Sequence, residues 1–280
     1  IKGPLVSRQP ETILAEAHTL VNSGVRELIL VAQDTTDYGR DLGMQDGLSQ
    51  LLESITRELL PSTRENSGLD WIRIMYAFPG SVSDRLINFM ASHPQVLPYL
   101  DIPLQHAHPA LLRSMQRPAS MDWVHKTIAK MRAAIPALAI RTTCLVGYPG
   151  ETEAGFRVLL DFLQEMRFDR AGAFQFSYET GTPSAPLGDP IPAEVKADRY
   201  TRLMELQAGI SLQINQSFVG KTLQVLIEGR DKNISVGRSY RDAPEIDGLV
   251  LVEGMAEIGT IVSVRITGAM TYDLIGVPLS

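Results

Sequence analysis

Residues 140–152 read Ile-Arg-Thr-Thr-Cys-Leu-Val-Gly-Tyr-Pro-Gly-Glu-Thr. The apolar and β-branched residues predict a buried strand that ends in the Gly-x-Pro-Gly turn. Thr152 then stands where a helix N-cap is favoured. Phe156, Leu159 and Leu163 share one face of the helix predicted to follow. The stretch therefore predicts a βα unit, and α/β folds bind ligands at the loop beyond the carboxyl end of such a strand.

Composition indicates a foldable protein. The chain has 280 residues, of which 44% are hydrophobic, enough for a large core. No apolar run is long enough to span a bilayer and no amino-terminal signal pattern is present, so a cytoplasmic protein without membrane contact is expected. The single cysteine, Cys144, excludes an internal disulfide and a self-contained cysteine-ligated cluster. A net charge of −6 argues against binding nucleic acid by charge alone and favours a basic partner.

Strands and helices alternate along the first three quarters of the chain. Helices are predicted after Pro10 to residue 22, at 47–60, from Pro79-Gly80 through residue 90, and at 122–134 and 154–166. Strands are predicted at 27–32, 71–76, 99–104, 140–146 and 171–178. This spacing indicates a parallel sheet with right-handed crossovers. Because five strands do not close an eight-stranded barrel, the predicted fold class is α/β with a partial, open parallel β/α barrel.

The pattern changes after a long helix predicted at 193–216. Short alternating strands are predicted from there on, at 223–228, 234–240, 248–252, 260–267 and 271–276. They indicate a small all-β domain, so we expect domains at 1–216 and 217–280. The second domain carries six basic and eight acidic side chains, which is a weak signal for RNA binding.

Polar residues follow the ends of two predicted strands. Gln33 and Asp34 follow one strand, and they either face a ligand or cap the next turn. Gln105 and His106 follow another. His106 and His108 have the spacing of a metal-binding pair, although a histidine that caps the next helix is the favoured interpretation. If the strands are parallel, these residues share one mouth of the barrel.

The 140–152 stretch holds further candidates. Arg141 lies inside an apolar strand and needs an anionic partner, which is either a substrate carboxylate or a neighbouring acidic side chain. Gly147 begins the sharp turn. Cys144 is read as an inert buried thiol, and Glu151 as a first-turn carboxylate favoured by the helix dipole.

Six motifs occur in an order that resembles the radical S-adenosylmethionine methylthiotransferases. They are Gly-Pro-Leu-Val-Ser-Arg at 3–8, Val-Ala-Gln-Asp-Thr-Thr-Asp-Tyr-Gly at 31–39, Tyr-Leu-Asp-Ile-Pro-Leu-Gln-His at 99–106, Met-Gln-Arg-Pro at 115–118, Val-Gly-Tyr-Pro-Gly-Glu-Thr at 146–152 and Phe-Ser-Tyr-Glu-Thr-Gly-Thr at 176–182. The resemblance covers nearly the whole chain, and residues 217–280 resemble the TRAM domain that ends these enzymes.

The resemblance implies methylthiolation of an aspartate on small-subunit ribosomal protein twelve, because Gln-Asp-Thr-Thr at 33–36 and the acidic TRAM domain are typical of that branch. The TRAM domain would then contact this basic protein or the ribosome. Two alternatives remain open. One is methylthiolation of a tRNA adenosine by the same chemistry, and the other is a non-catalytic docking module for a ribosomal protein or RNA.

The family uses S-adenosylmethionine and 4Fe-4S clusters. Its Cys-x-x-x-Cys-x-x-Cys loop would lie before Ile1, so the cluster ligands are expected outside this chain, which is predicted to be a fragment that is inactive by itself. No catalytic or metal-binding residue is therefore assigned within it.

By motif position, the resemblance assigns the following residues to S-adenosylmethionine: Gln33 and Asp34 to its amino-acid part, Gln105 to the ribose, Arg141 to the carboxylate and Gly147 to the adenine. It assigns Arg8, Tyr38 and Arg117 to the substrate side.

Overall fold

A computed structural model describes residues 3–59 and 68–279. Seven α-helices and ten strands lie within these residues, and their bounds follow in chain order. They are α1 Pro10–Asn22, β1 Glu27–Leu30, α2 Gly47–Leu59, β2 Trp71–Ile74, α3 Asp84–Ser92, β3 Val96–Asp101, α4 Pro109–Ser114, α5 Met121–Ala134, β4 Ala139–Val146, α6 Glu153–Met166, β5 Arg170–Gln175, α7 Ala193–Gln216, β6 Thr222–Asp231, β7 Ile234–Ser239, β8 Val250–Glu253, β9 Ile261–Ala269 and β10 Leu274–Pro278.

The chain forms two compact units. The first comprises residues 1–103 and 126–138, and the second comprises 104–125 and 139–280. These units do not coincide with the predicted domains 1–216 and 217–280. The boundary near residue 216 therefore stays a prediction.

The first unit contains a parallel sheet in which β1 pairs with β2 and β2 with β3. The strands are short continuous apolar runs, as buried parallel strands are. All four residues of β2 are buried, including Arg73, which forms an ion pair with Glu27 at 2.7 Å. Helix α2 buries one apolar face, with Leu52 and Ile55 fully buried.

The second unit combines a βα element with a small barrel. Strand β4 pairs with β5 in parallel, and Cys144 lies opposite Ala173. Helix α6 runs between them and begins at the predicted N-cap, where the Thr152 hydroxyl accepts a hydrogen bond from the Gly155 N–H at 3.1 Å. Such a cap stabilises a helix by about 1 kcal/mol.

The last five strands close a barrel in the order β10-β8-β7-β6-β9. Its core is made of inward-facing aliphatic side chains on alternate strand positions, among them Val225, Ile227, Val252 and Val264. The predicted fold class, an α/β part with parallel strands followed by a small β-barrel, is confirmed.

Several predicted boundaries were wrong. The strand predicted at 99–104 occupies Val96–Asp101 instead, because pairing with β2 begins at Val96, opposite Ile72. The helix predicted to open at Pro79-Gly80 begins at Asp84, after Ser83 caps it through the Leu86 N–H at 3.1 Å. Helix α4 was not predicted. The end of α2 predicted at Leu60 lies outside the described residues.

Among the described helices, none combines the length and the apolar character needed to cross a bilayer.

Candidate functional site

Three of the predicted site residues line one cavity in the first unit. Arg8, Asp34 and Tyr38 surround a space of about 360 Å³ beside the carboxyl end of β1. The Tyr38 hydroxyl donates to the Arg8 carbonyl at 2.9 Å, and the Arg8 guanidinium lies 2.5 Å from the Glu16 carboxylate. The structure thus brings together Arg8 and Tyr38, which were both assigned to the substrate side.

Asp34 supports the turn that follows β1. Its carboxylate accepts a hydrogen bond from the Thr36 hydroxyl at 2.5 Å, and that hydroxyl accepts one from the Phe78 N–H at 3.0 Å. Gln33 is exposed in the bend between β1 and this turn and does not line the cavity. Asp34 occupies the N-cap position of this turn, but its side chain accepts no capping hydrogen bond from a backbone N–H, and it also faces the cavity.

The Tyr38 hydroxyl is a proton donor in this setting. Burial raises its pKa, and the nearby Glu11 and Asp41 carboxylates raise it further, whereas Arg8 lowers it. The phenol therefore remains protonated at neutral pH and can donate its hydrogen bond to Arg8.

A second group of predicted residues lines a cavity in the second unit. Gln105 and Arg117 border a space of about 310 Å³, which Leu145, Tyr148 and Phe176 complete. Ligand pockets of this kind combine apolar and aromatic walls with a few polar groups. The cavity lies next to the carboxyl ends of β4 and β5, where the fold was expected to bind a ligand.

The main chain of Gln105 continues the sheet pattern against β4. Its N–H donates to the Thr143 carbonyl at 2.8 Å, and its carbonyl accepts from the Leu145 N–H at 2.7 Å. The residue has a φ of 71°, which is an unusual backbone angle for a residue other than glycine or asparagine. Backbone strain of this kind clusters at functional sites.

Gly147 makes the turn after β4 with a φ of 75°. A Cβ at this position would lie 2.4 Å from Cγ of Lys196, so a side chain is excluded by both conformation and space. The neighbouring Tyr148 ring packs edge-on against Phe176 at 5.3 Å and forms part of the cavity wall. The predicted glycine turn therefore brings backbone to the edge of the cavity.

Arg141 has a protein carboxylate as its partner. Its Nε lies 3.4 Å from the Asp247 carboxylate, and one Nη lies 3.3 Å from the Thr143 hydroxyl. Arg141 is the third residue of β4 and shares a strand face with Leu145, about 13 Å farther along. Of the two alternatives for its partner, the structure shows the neighbouring acidic side chain.

His106 and His108 do not form a metal-binding pair. Both ring nitrogens of His106 are engaged, Nε2 with Glu151 at 3.0 Å and Nδ1 with the Ala107 and His108 N–H groups at 2.9 Å. His108 occupies the N-cap position of α4 without a side-chain capping bond. The predicted histidine cap of α4 is therefore wrong, because His106 binds the Ala107 and His108 N–H groups, which precede the helix.

Sequence reasoning missed the buried side chains behind the second cavity. Glu151, which was read only as a first-turn carboxylate, is fully buried and contacts His106 and Arg199. Lys196 and Arg199 belong to α7, which follows 40 residues or more after Glu151. No local sequence pattern predicts contacts between residues so far apart in the chain. Two basic residues three positions apart on one helix face did, however, indicate that this face meets an acidic partner.

The described residues do not offer a ligand set for an iron–sulfur cluster. Within residues 3–59 and 68–279, no three histidine, cysteine or acidic side chains are grouped so that they could hold a metal ion. Cys144 is buried, and burial raises its pKa to about 12, so that it is a thiol rather than the thiolate a cluster requires.

Comparison with known proteins extends across the chain. Residues 1–163 match the radical SAM superfamily, and residues 219–279 match the TRAM domain. A Chloroflexus aurantiacus protein named ribosomal protein uS12 methylthiotransferase RimO is 51% identical over 284 residues, which cover 100% of this chain and 61% of that protein. The RimO protein of Roseiflexus sp. is 50% identical, over 98% of this chain and 58% of its own length.

The chain spans about three fifths of the length of these relatives. Among solved structures, the radical S-adenosylmethionine methyltransferase TsrM from Kitasatospora setae superposes with a TM-score of 0.51 at 13% identity, over 78% of this chain and 34% of that chain. A likeness at this identity supports the fold alone. The expected resemblance to the methylthiotransferases is confirmed by the RimO proteins, and the match over residues 1–163 shows that the chain belongs to the radical SAM superfamily.

Proposed function

We propose that this chain is part of an enzyme that methylthiolates an aspartate of the small-subunit ribosomal protein uS12 in the cytoplasm. The observation that carries the proposal is the identity of about one half to RimO proteins, which extends through both the radical SAM match and the TRAM match. It covers the residues that line both cavities.

S-adenosylmethionine is the ligand proposed for the residues assigned to it by motif position. The second cavity fits a nucleoside, because its aromatic walls suit a base and the Gln105 amide can hydrogen-bond a ribose hydroxyl. The backbone at Gly147 is proposed to approach the adenine. Gln33 and Asp34 are proposed for the amino-acid part, whose ammonium group an aspartate favours.

Arg141 is the assignment that the geometry supports least. To bind the ligand carboxylate, its guanidinium would have to exchange the Asp247 carboxylate for that of the ligand. An Arg141→Ala variant of the full-length enzyme therefore tests the assignment directly, since an affinity equal to wild type would leave Arg141 with its structural ion pair alone.

The proposed chemistry requires cluster ligands, and the described residues 3–59 and 68–279 do not supply them. Reductive cleavage of S-adenosylmethionine by one electron from an iron–sulfur cluster would supply the radical that takes hydrogen from the target carbon. The residues of this chain bind the nucleoside, orient it and exclude water from it. Arg8, Tyr38 and Arg117 are proposed to face the protein substrate.

The barrel is proposed to contact the basic substrate protein. In the loop between β8 and β9, the exposed Met255 and Ile258 are flanked by the exposed carboxylates of Glu253 and Glu257. The Gly254 N–H donates to the Asn233 carbonyl at 2.9 Å and holds this loop against the β6–β7 hairpin. An apolar surface bordered by acidic groups suits a partner with basic side chains.

A reconstitution assay tests the proposed function. The full-length, cluster-loaded enzyme is incubated with S-adenosylmethionine and a sulfur source, together with either purified uS12 or unmodified tRNA. We expect mass spectrometry to find the methylthio group on the uS12 aspartate. A methylthio group on tRNA adenosine instead would support the alternative substrate, and modification of neither would support a non-catalytic docking module.

A further inference from the structure

One buried carboxylate joins three separate segments behind the second cavity. The Glu151 side chain is fully buried, and its Oε1 lies 3.0 Å from Nε2 of His106. Its Oε2 accepts hydrogen bonds from the Gly147 N–H at 2.6 Å and from Arg199 at 2.7 Å. These donors belong to the loop after β3, the turn after β4 and helix α7.

The protonation state of His106 follows from its neighbours. Nδ1 faces the N–H groups of Ala107 and His108, each at 2.9 Å, and must therefore accept. The ring proton is then on Nε2, where it is donated to Glu151. Every polar atom that faces the Glu151 carboxylate is thus a donor, and the charge of the carboxylate is balanced by Arg199.

Helix α7 makes a second connection three residues earlier. The aliphatic stem of Lys196 packs under Gly147, where it occupies the space a Cβ would need. Its ammonium group donates to the Phe176 carbonyl at 2.9 Å and to the Asp189 carboxylate at 2.5 Å. Lys196 therefore ties the turn after β4 to the end of β5.

The connected segments are those that build the cavity. His106 follows Gln105, Gly147 precedes Tyr148, and Lys196 holds the carbonyl of Phe176, while Gln105, Tyr148 and Phe176 themselves line the cavity. Stability alone does not call for this network, because a buried ion pair is often no more stabilising than well-packed apolar residues of the same volume. The directional hydrogen bonds of this network add a fixed distance between the walls of the cavity.

We propose that Glu151, with His106, Arg199 and Lys196, forms a positioning set that fixes the distance between the ribose contact at Gln105 and the adenine contact at Gly147. This inference rests on the proposed function. Residues that do not touch the ligand would then determine how tightly the enzyme binds the nucleoside half of S-adenosylmethionine.

Glu151→Gln is the sharpest variant, because it keeps the shape and replaces one of the two acceptor oxygens with a donor. The amide nitrogen of the glutamine must face His106, Gly147 or Arg199, and all three donate hydrogen bonds. Two donors then face each other, and one hydrogen bond is lost. Glu165→Gln is the matched control, since Glu165 is an exposed acid near the end of α6 that pairs with His125 at 3.4 Å.

Calorimetry on the full-length, cluster-loaded enzyme measures the dissociation constants for S-adenosylmethionine and for adenosine. We expect Glu151→Gln to raise both constants by a similar factor, about tenfold, or about 1.4 kcal/mol. Glu165→Gln should change them by less than about twofold. Equal affinities in Glu151→Gln and wild type would overturn the inference, whereas wild-type enzyme that fails to bind S-adenosylmethionine would overturn the proposed function.

A second pair of variants separates positioning from folding. Arg199→Lys keeps a cation for Glu151, whereas Arg199→Met keeps most of the volume without the charge. We expect Arg199→Lys to restore most of the affinity for adenosine that Arg199→Met loses, at matched thermal unfolding midpoints. If affinity follows the unfolding midpoint in all variants, the network is structural only and the inference is wrong.

Discussion

At the residue scale, the backbone turns were easier to predict than the buried charges. Gly147 and the Thr152 cap are local features, and the structure has both where the sequence placed them. The partners of Glu151 lie 45 residues before it and 48 after it, which no local pattern reveals. The same limit applies to Arg141, whose partner Asp247 lies in a different part of the chain.

Gln105 carries a residue-scale prediction about ligand affinity. Because its φ is 71°, alanine at this position would add strain to the loss of the amide, whereas glycine removes the amide without strain. We expect Gln105→Gly in the full-length enzyme to weaken S-adenosylmethionine binding about tenfold, since one hydrogen bond to the ribose is lost. The thermal midpoint should stay at or above that of wild type, and unchanged affinity in calorimetry would contradict the ribose assignment.

Cys144 carries a prediction about reactivity and pH. Burial raises its pKa to about 12, so the folded thiol should resist alkylation at pH 8, and the Cys144 peptide should be labelled only after denaturation. The unfolded thiol ionises near pH 8.5. The stability that the buried thiol contributes is therefore present below that pH and is lost as the pH rises toward 12.

Mass spectrometry of the iodoacetamide-treated protein provides the measurement. Rapid labelling of Cys144 in the native protein at pH 8 would show that the side chain is accessible, contrary to its position in β4.

At the element scale, the alternation of strands and helices predicted the fold class, and the errors lie at the ends of elements and in the short helix α4, which was not predicted. The strand predicted at 27–32 stops at Leu30 because Val31 and Ala32 leave the sheet and line the first cavity. Helix α7 was predicted with its observed bounds. Apolar residues that line a cavity follow the same pattern as those that fill a core, and hydrophobicity alone does not separate them.

Buried ion pairs join β5 to the loop after β7 in the second unit. Asp242 accepts from Arg170 at 2.9 Å and from the Ser239 hydroxyl at 2.8 Å, and its side chain is 2% exposed. Asp169 lies 3.0 Å from Arg241, which stacks over Phe218 at 4.0 Å. These contacts connect β5 to the loop that follows β7.

Removal of one partner from this network of ion pairs should lower the stability of the fold. We expect Asp242→Asn to lower the free energy of unfolding by about 3 kcal/mol, because the buried Arg170 guanidinium loses its counter-charge. Asp198→Asn is the control, since Asp198 forms an exposed pair with Arg202 and should cost less than about 1 kcal/mol. Denaturant titration of the two variants compares them, and equal losses would show that the Arg170–Asp242 pair has no special role.

At the scale of the whole molecule, the net charge indicates the kind of partner, and the division into domains remains to be tested. The net charge of −6 and the exposed acidic loop of the barrel agree with a basic protein partner. The prediction of a division near residue 216 remains open, since the compact units divide elsewhere. Limited proteolysis that cleaves near Phe218 and releases a stable carboxyl-terminal fragment would support it.

The acidic loop carries a prediction about substrate recognition. Reversal of charge in Glu253→Lys/Glu257→Lys should raise the KM for uS12 about tenfold at low salt, with kcat little changed, because encounter with the basic protein is weakened. Asp161→Lys/Glu165→Lys, at two exposed positions of α6, is a control that changes the net charge by the same amount. If both variants raise the KM equally, only net charge matters and the barrel end is not the contact surface.

The central claim is that this chain belongs to the enzyme that methylthiolates uS12. The most direct measurement is the intact mass of uS12 isolated from cells that lack the gene, compared with cells in which the full-length gene is restored. We predict that the methylthio group disappears from uS12 in the first cells and returns in the second. A methylthio group that persists on uS12 in cells without the gene would contradict the account.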